Sequence, residues 1–111
     1  MREAEWQQQV IELATLSGWI VYHTHDSRHS AAGFPDLVLA RPGELLMREL
    51  KTDIGKVRPE QQAWLDALQA AGADVDVWRP RDTAAVIERL RRRRNAPTRP
   101  ILNTEKEMAR G

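Results

Sequence analysis

Three charged side chains, Asp36, Glu49 and Lys51, lie at the ends of two short apolar segments of the chain. The segments are residues 37–40 and 45–47, and the Arg-Pro-Gly-Glu sequence between them predicts the turn of a β-hairpin. Counting outwards from this turn puts Asp36 directly opposite Glu49, and alternation along the strand puts Lys51 on the same face as Glu49. Directly opposed side chains of an antiparallel pair lie about 5 Å apart. The pattern therefore predicts that three charged groups converge.

Two carboxylates at that separation repel each other unless one is protonated or a cation lies between them. Mg²⁺ is commonly held by one or two carboxylates and keeps several waters, which leaves room for a phosphate oxygen. A lysine beside such a site can orient a water or stabilise charge on the phosphate. The residues thus indicate phosphodiester hydrolysis. The alternative is that Asp36, Glu49 and Lys51 are ordinary solvated residues at strand ends, and the hairpin spacing and an earlier acid-bearing helix argue against it.

The elements that must position these residues follow from the apolar periodicity and the turn signals. The sequence predicts a helix over residues 3–17, a strand over 19–22, the hairpin, a helix from Pro59 to Gly72, a strand over 75–78 and a last helix that runs to Leu90. This order, α-β-β-β-α-β-α, predicts an α/β fold in which helices flank a mixed β-sheet. The length predicts one domain, residues 1–92, followed by a basic and flexible tail, residues 93–111.

Composition excludes several classes of protein. The chain has no cysteine, which rules out disulfides, zinc sites with thiolate ligands and cysteine nucleophiles. No apolar run approaches the roughly 20 residues that span a bilayer, and the N-terminus has no secretory pattern, so we expect a cytoplasmic protein without a membrane partner. Charge is segregated: residues 1–78 carry 12 acids and 7 bases, whereas residues 79–111 carry 4 acids and 10 bases. A cation-holding acidic body with a basic end suits a protein that binds a polyanion.

Several separated motifs resemble the VRR-NUC family, the virus-type replication-repair nuclease branch of the PD-(D/E)XK superfamily. They are Gly33-Phe34-Pro35-Asp36-Leu37-Val38-Leu39, Glu49-Leu50-Lys51-Thr52, Gly55-Lys56, Pro59-Glu60-Gln61 and Trp64-Leu65. The resemblance runs from about Glu3 to Leu90 in the family's order and spacing. It implies a restriction-endonuclease-like core and a Mg²⁺- or Mn²⁺-dependent DNA endonuclease.

The resemblance also assigns roles to individual residues. It implies that Asp36 and Glu49 bind the metal, that the main-chain carbonyl of Leu50 completes the metal site and that Lys51 is the catalytic lysine. Glu5 matches the family's acid on the first helix, with Glu12 as the rival, and Gln61 matches its glutamine on the second helix.

Other residues stay open to two interpretations. Several side chains carry groups that suit phosphate but are also typical of a solvated surface, and these candidates for DNA contact are Ser27, Arg28, Lys56, Arg91, Arg92, Arg93 and Arg94. The histidines at 23, 25 and 29 suggest a second metal site or, more simply, hydrogen-bonding loop residues. Four tryptophans exceed what a small core readily hides, which suggests that the helices carrying Trp6 and Trp64 meet a second subunit.

Members of the family that stand alone at this size resemble dimeric junction resolvases. The resemblance therefore implies a homodimer that cleaves branched DNA, such as a Holliday junction, in the cytoplasm of a bacterial or phage-infected cell. The alternatives are a nuclease that processes flaps or nicks, and a non-catalytic DNA-binding or assembly protein that keeps the fold.

Overall fold

The computed structural model describes residues 1–24 and 31–93. The elements are α1 (Glu3–Leu16), β1 (Ile20–His23), β2 (Leu37–Arg41), β3 (Glu44–Leu50), α2 (Pro59–Ala70), β4 (Asp74–Trp78), a 3₁₀ turn (Pro80–Asp82) and α3 (Thr83–Arg91). This is the predicted order with one 3₁₀ turn added. Ser27, Arg28, Arg94 and two of the three candidate histidines, His25 and His29, lie outside the described residues. Among the helices that the structure describes, none is both long and apolar enough to cross a membrane.

The four strands form one sheet in the order β1-β2-β3-β4. The first two pairs are antiparallel and the pair of β3 with β4 is parallel, so the sheet is mixed, as predicted. Parallel neighbours need a crossover connection, and α2 lies within the segment that joins β3 to β4. The α/β fold with helices around a mixed sheet is therefore confirmed.

The hairpin of β2 and β3 has the predicted register, with Ala40 opposite Leu45. Its turn is shorter than the four residues predicted, because Arg41 and Glu44 form the last pair of the ladder and only two residues connect them. Two features stabilise the tight turn. Gly43 has a φ of 78°, which glycine adopts without a steric penalty, and Arg41 Nε donates a 2.8 Å hydrogen bond to Glu44 Oε2.

The hydrophobic core lies on the face of the sheet that α1 and α3 cover. Alternate residues of the central strands point into it, as the burial patterns of β2 and β3 show. Its members are Trp6, Val10, Ala14, Trp19, Leu37, Leu39, Leu46, Leu50, Trp78, Val86 and Leu90. Burying each leucine stabilises the fold by about 1.5–3 kcal/mol. Leu46→Ala, which leaves a cavity at the centre of β3, is expected to cost about 2–5 kcal/mol.

Three of the four tryptophans belong to this core. Trp6 is fully buried and its Nε1 donates a 3.0 Å hydrogen bond to the carbonyl oxygen of Trp78, while Trp19 Nε1 donates to that of Leu90 at 2.9 Å. The indole of Trp6 is therefore not available for a subunit contact, and a contact through another face of α1 stays a prediction. The indole finds its apolar surroundings and its hydrogen-bond acceptor within its own chain. Trp64 is half-buried on α2.

Candidate active site

Asp36 sits just before β2, where the ends of two strands hold it in place. Thr24, which follows β1, donates from its backbone N–H to the carbonyl oxygen of Asp36 at 2.9 Å and from its hydroxyl to that of Pro35 at 3.1 Å. Extending the register of the hairpin by one residue puts Asp36 across from Glu49, as predicted. The backbone N–H of Leu50 donates a 2.8 Å hydrogen bond to Asp36 Oδ2. The carboxylate is thus fixed at the end of the sheet.

Glu49 is almost fully buried, with 1% of its surface exposed. Its Oε2 accepts a 3.0 Å hydrogen bond from Gln61 Nε2 and lies 3.6 Å from Lys51 Nζ. Its Oε1 is buried and has no hydrogen-bond partner among the described residues. A buried charged oxygen without a partner is costly, so this atom marks a position where a ligand would stabilise the protein.

The electrostatics of Glu49 follow from burial and its neighbours. Burial first, and then the adjacent Asp36 carboxylate, raise the pKa of Glu49 to about 8, against a lowering effect of the Lys51 ammonium. The close approach of the Asp36 side chain and the charge of Glu3 raise the pKa of Glu49 further. Near neutral pH Glu49 therefore keeps a proton when no cation is present.

Gln61 connects Glu49 to the start of α2. Its Oε1 accepts a 2.9 Å hydrogen bond from the backbone N–H of Arg58, the residue that caps the helix. Because that N–H can only donate, the side-chain amide must point its NH₂ group at Glu49. Pro59, at the first helical position, preorganises the same turn.

The loop before Asp36 packs tightly on the first turn of α2. Gly33 has a φ of 95°, and a Cβ at this position would lie 2.4 Å from the carbonyl oxygen of Glu60, so only glycine fits. The ring of Phe34 then meets Trp64 edge-on, with 5.1 Å between the ring centroids. These contacts explain why Gly-Phe-Pro precedes the aspartate.

These side chains surround an open pocket of about 540 Å³. Asp36, Glu49, Lys51 and Gln61 all line it, so the structure brings together four of the five residues proposed for catalysis. The remaining lining residues are Glu3, Tyr22, Thr24, Ala31, Gly33, Phe34, Arg58 and Trp64. The pocket combines paired acids, a lysine and an aromatic wall.

Comparison with known proteins shows which family the chain belongs to. A model of the VRR-NUC domain family matches residues 2–82. The chain belongs to the VRR-NUC nuclease family. Over 64 residues this VRR-NUC domain is 38% identical to Fanconi-associated nuclease 1 of Danio rerio, a match that covers 56% of the chain. The chain spans only 6% of the length of that relative.

A solved structure described as a VRR_NUC domain protein shares the fold. It has a TM-score of 0.65 and covers 79% of this chain and 86% of its own chain, at 23% sequence identity. At 23% identity this similarity supports a shared fold only. The restriction-endonuclease-like core is consistent with it.

The structure of this VRR-NUC domain brings a different acid of α1 to the pocket from the one predicted. Glu3 lines the pocket, whereas Glu5 turns back to accept a 2.9 Å hydrogen bond from the backbone N–H of Arg2 at the helix start. Glu12 is exposed and accepts a hydrogen bond from Gln8. Glu3 is three residues before Trp6 and so shares its helix face, but only the burial of Trp6 in the structure shows which face this is.

The candidate DNA contacts fall in two places. Lys56 is exposed on the segment between β3 and α2. Arg91 and Arg93 line a shallow groove that they share with Arg41 at the hairpin end of the sheet. Asp36 and Arg41 are five residues apart along one strand, about 17 Å. The arginines of the groove therefore lie far from the carboxylates.

Arg92 differs from its two neighbours in this basic segment. It is exposed but does not line the groove, and its Nη1 lies 3.9 Å from Glu88 Oε2, one helical turn earlier. Its backbone N–H donates to the carbonyl oxygen of Glu88 at 3.0 Å, and its own carbonyl oxygen accepts a hydrogen bond from Arg41 Nη2. The sequence predicts DNA contact for Arg91 to Arg94 alike, and among the described residues of this run the groove includes Arg91 and Arg93. DNA contact by these arginines stays a prediction. Because successive residues of a helix end point in different directions, Arg92 terminates α3 and faces an acid instead of joining the groove.

The donor set of the pocket suits a hard divalent cation. Within residues 1–24 and 31–93, no cluster of three His, Asp or Glu side chains forms a ready-made metal site. A cation here would rely on two carboxylates, a main-chain carbonyl and water, which is a ligand set that Mg²⁺ accepts. The Leu50 carbonyl faces the same edge of the strand as the Leu50 N–H, and that N–H reaches Asp36. The buried and unpartnered Glu49 Oε1 fits the same cation.

Proposed function

We propose that this domain is a Mg²⁺- or Mn²⁺-dependent DNA endonuclease that hydrolyses phosphodiester bonds in the pocket between β1, the hairpin and α2. The observation that carries the proposal is the environment of Glu49. Its Oε1 is buried without a partner beside a second carboxylate, and its Oε2 faces Lys51 and Gln61. A divalent cation stabilises two carboxylates that are held this close together. A lysine beside them is better suited to stabilising charge on a phosphate than to a structural role in the core.

Asp36, Glu49 and the carbonyl of Leu50 would hold the cation, which when bound lowers the pKa of a water and neutralises charge on the phosphate. Lys51 places its ammonium where negative charge grows on the phosphate oxygens during attack. Gln61 positions Glu49 by donating to Oε2, which leaves Oε1 as the oxygen that would bind the metal.

We propose that Glu3, rather than Glu5, is the acid that α1 adds to this site. Its carboxylate lines the pocket and its charge contributes to the raised pKa of Glu49. Glu5 is engaged at the helix cap instead.

The proposed substrate is DNA, and branched DNA within that class. DNA is supported by the nuclease family and by the basic groups that lie outside the pocket, Lys56, Arg91 and Arg93. Branched DNA rests on the family resemblance. The flap- or nick-processing alternative uses the same chemistry on another substrate. A non-catalytic role is disfavoured because Asp36, Glu49 and Lys51 are all present and all line one pocket.

A cleavage panel separates these possibilities. Labelled linear duplex, flap, nicked duplex and four-way junction are incubated with the protein and Mn²⁺ under single-turnover conditions. We expect paired cuts near the branch of the junction and slower cleavage of linear duplex. Preferred cleavage of the flap would replace the resolvase proposal, and no cleavage of any substrate, together with tight DNA binding, would favour the assembly protein.

We also propose a homodimer, because two symmetric cuts across a junction suit a two-fold assembly. The support is an apolar strip on the pocket face of the sheet, beyond the catalytic carboxylates. Ile20 is 78% exposed and Leu45 is 52% exposed, and both are paired with Ala40 in neighbouring strands, which places them on one face. Half-buried Trp64, on α2, is the remaining tryptophan candidate.

Sedimentation at micromolar concentration tests the dimer. The wild type is expected at twice the mass of the chain, and Ile20→Glu is expected to shift it to the monomer with an unchanged circular dichroism spectrum. A wild-type monomer would remove the dimer and leave the nuclease proposal standing.

A further inference from the structure

Arg79 follows β4 directly and reaches across to the turn that comes after Lys51. Its Nη1 donates two hydrogen bonds, each 2.7 Å long, to the carbonyl oxygens of Thr52 and Gly55. Gly55 N–H closes the same turn by donating to Thr52 O at 3.3 Å. We propose that Arg79 is a positioning residue that clamps residues 52–55 and thereby fixes Lys51 in the active site. The inference rests on the proposed function.

The turn formed by residues 52–55 lies beside the aliphatic part of the Lys51 side chain. A Cβ placed on Gly55 would lie 3.6 Å from Lys51 Cδ and 3.0 Å from Thr52 Oγ1, so the backbone of the turn runs alongside the Lys51 side chain. The backbone N–H of Lys51 donates to the carbonyl oxygen of Trp78 at 3.2 Å. The end of β4 therefore holds Lys51 at its backbone and, through Arg79, holds the turn beside its side chain.

A second arginine of the same segment, Arg81, also binds the turn of residues 52–55. The backbone N–H of Arg81 donates a 2.9 Å hydrogen bond to Asp53 Oδ1, and its guanidinium reaches Asp53 O at 3.2 Å. Arg79 is itself oriented, because its backbone N–H donates to Asp82 Oδ2 at 3.0 Å. Lys51 is 5% exposed and Ile54, on the turn, is 90% exposed, so the turn is ordered by these contacts and not by burial of its own side chains.

The hydrogen bonds of Arg79 favour a positioning role, because two of the five N–H donors of its guanidinium bind the turn. Nη1 has two N–H groups, and both are taken by the two carbonyls. A lysine at this position would present an ammonium on a flexible stem, without the planar fork that sets two hydrogen bonds in fixed directions. The position therefore requires a guanidinium for geometry as well as for charge.

The experiment compares wild type, Arg79→Ala and Arg79→Lys by single-turnover cleavage with Mn²⁺ at saturating DNA, alongside DNA affinity. We expect both variants to cleave about 10–100-fold more slowly, the range found when a supporting residue of a metal site is lost, while the dissociation constant for DNA changes less than twofold. Methylguanidinium is expected to restore Arg79→Ala in part, and methylammonium is not. Amide hydrogen exchange at Gly55 should accelerate in both variants.

The possible results distinguish a positioning role of Arg79 from a direct contact between Arg79 and DNA. Weakened DNA affinity with an intact single-turnover rate would make Arg79 a phosphate contact and overturn the proposal, as would a wild-type rate in Arg79→Lys. If Arg79→Ala does not fold, Arg79→Lys decides by the same measurements. If the wild type cleaves no DNA, the proposed function fails. The positioning role of Arg79 is then tested by amide hydrogen exchange alone, and an unchanged exchange rate at Gly55 in Arg79→Lys would overturn it.

Discussion

Gln61 Nε2 donates a 3.0 Å hydrogen bond to Glu49 Oε2, and this contact joins α2 to β3. The same side chain accepts from the backbone N–H of Arg58 at the helix start. One residue therefore caps a helix and sets which oxygen of Glu49 remains for a ligand. The orientation of the active site depends on how α2 begins.

Replacing Gln61 is expected to slow cleavage without unfolding the protein. Gln61→Glu keeps the shape but replaces the donor by a carboxyl group beside Glu49, and we expect a loss of about 10–100-fold in single-turnover rate. Gln62→Glu is the matched control, because the side chain of Gln62 is exposed and donates a 2.8 Å hydrogen bond to Asp66, outside the pocket. Equal rates for both variants and wild type would remove Gln61 from the site.

The two acids at the start of α1, Glu3 and Glu5, are expected to affect cleavage differently when they are replaced. Glu3→Gln should reduce cleavage, since Glu3 lines the pocket. Glu5→Gln should leave the rate nearly unchanged and lower helix stability by at most about 1 kcal/mol, because Glu5 serves the helix cap. Rates and melting temperatures of the two variants test this assignment, and the reverse pattern would restore Glu5 as the catalytic acid.

Glu49 makes the stability of the cation-free protein depend on pH. Its pKa is about 8 in the folded state against an ordinary 4.5, so the folded protein keeps a proton that the unfolded chain releases. The associated stability is fully present below pH 4.5, falls as the pH rises from 4.5 to about 8 and is lost above that value.

Glu49→Gln removes this dependence. In a chelator, we expect its melting temperature to exceed that of the wild type by a margin that grows between about pH 5 and 8. One kcal/mol shifts melting by about 4–8 °C in a domain of this size, so the margin is measurable. Added Mg²⁺ should raise the melting temperature of the wild type only. A margin independent of pH would contradict the buried-carboxylate account.

The basic end of the domain is expected to contribute affinity and not chemistry. Arg91→Gln with Arg93→Gln should reduce the slope of log binding constant against log salt by about 2, at roughly 0.9 per phosphate contact. The single-turnover rate at saturating protein should be unchanged, because the groove with Arg91 and Arg93 shares no residue with the pocket.

Arg92→Gln is the control for this double variant, because it removes one arginine charge from the same segment but outside the groove, so the effects are compared per arginine. Its guanidinium faces Glu88, so we expect a smaller change in the salt slope per arginine than Arg91 and Arg93 give. An unchanged slope in the double variant would indicate that the two groove arginines are merely solvated. An equal effect of Arg92→Gln would indicate that the whole segment acts as diffuse charge.

Much of the fold could be predicted from the sequence because its signals were local. The Pro-Gly turn set the hairpin register, and this register alone placed Asp36 opposite Glu49. The shorter turn was missed because it depends on the Arg41–Glu44 ion pair, whose burial is created by elements far apart in sequence. Arg41 also donates to the carbonyl oxygens of Ser17 and Leu90.

The rest of the site depends on packing that local patterns do not contain. Whether Glu3 or Glu5 reaches the pocket is decided by the rotation of α1, which the burial of Trp6 fixes. The direction of Arg92 depends on where α3 ends, which the run of arginines does not mark. The clamp of Arg79 joins residues 24 and 27 positions apart and has no spacing signature.

The central claim is cation-dependent cleavage by the Asp36 and Glu49 pair, and one titration tests it most directly. Cleavage of a labelled four-way junction is measured against Mn²⁺ concentration for wild type and Asp36→Asn, with excess chelator as the zero point. We expect no cleavage in chelator, a saturable rise with Mn²⁺ in the wild type and a loss of more than about 100-fold in Asp36→Asn with its circular dichroism unchanged, beyond the range for a supporting residue. Full cleavage in chelator, or wild-type cleavage by Asp36→Asn, would contradict the claim.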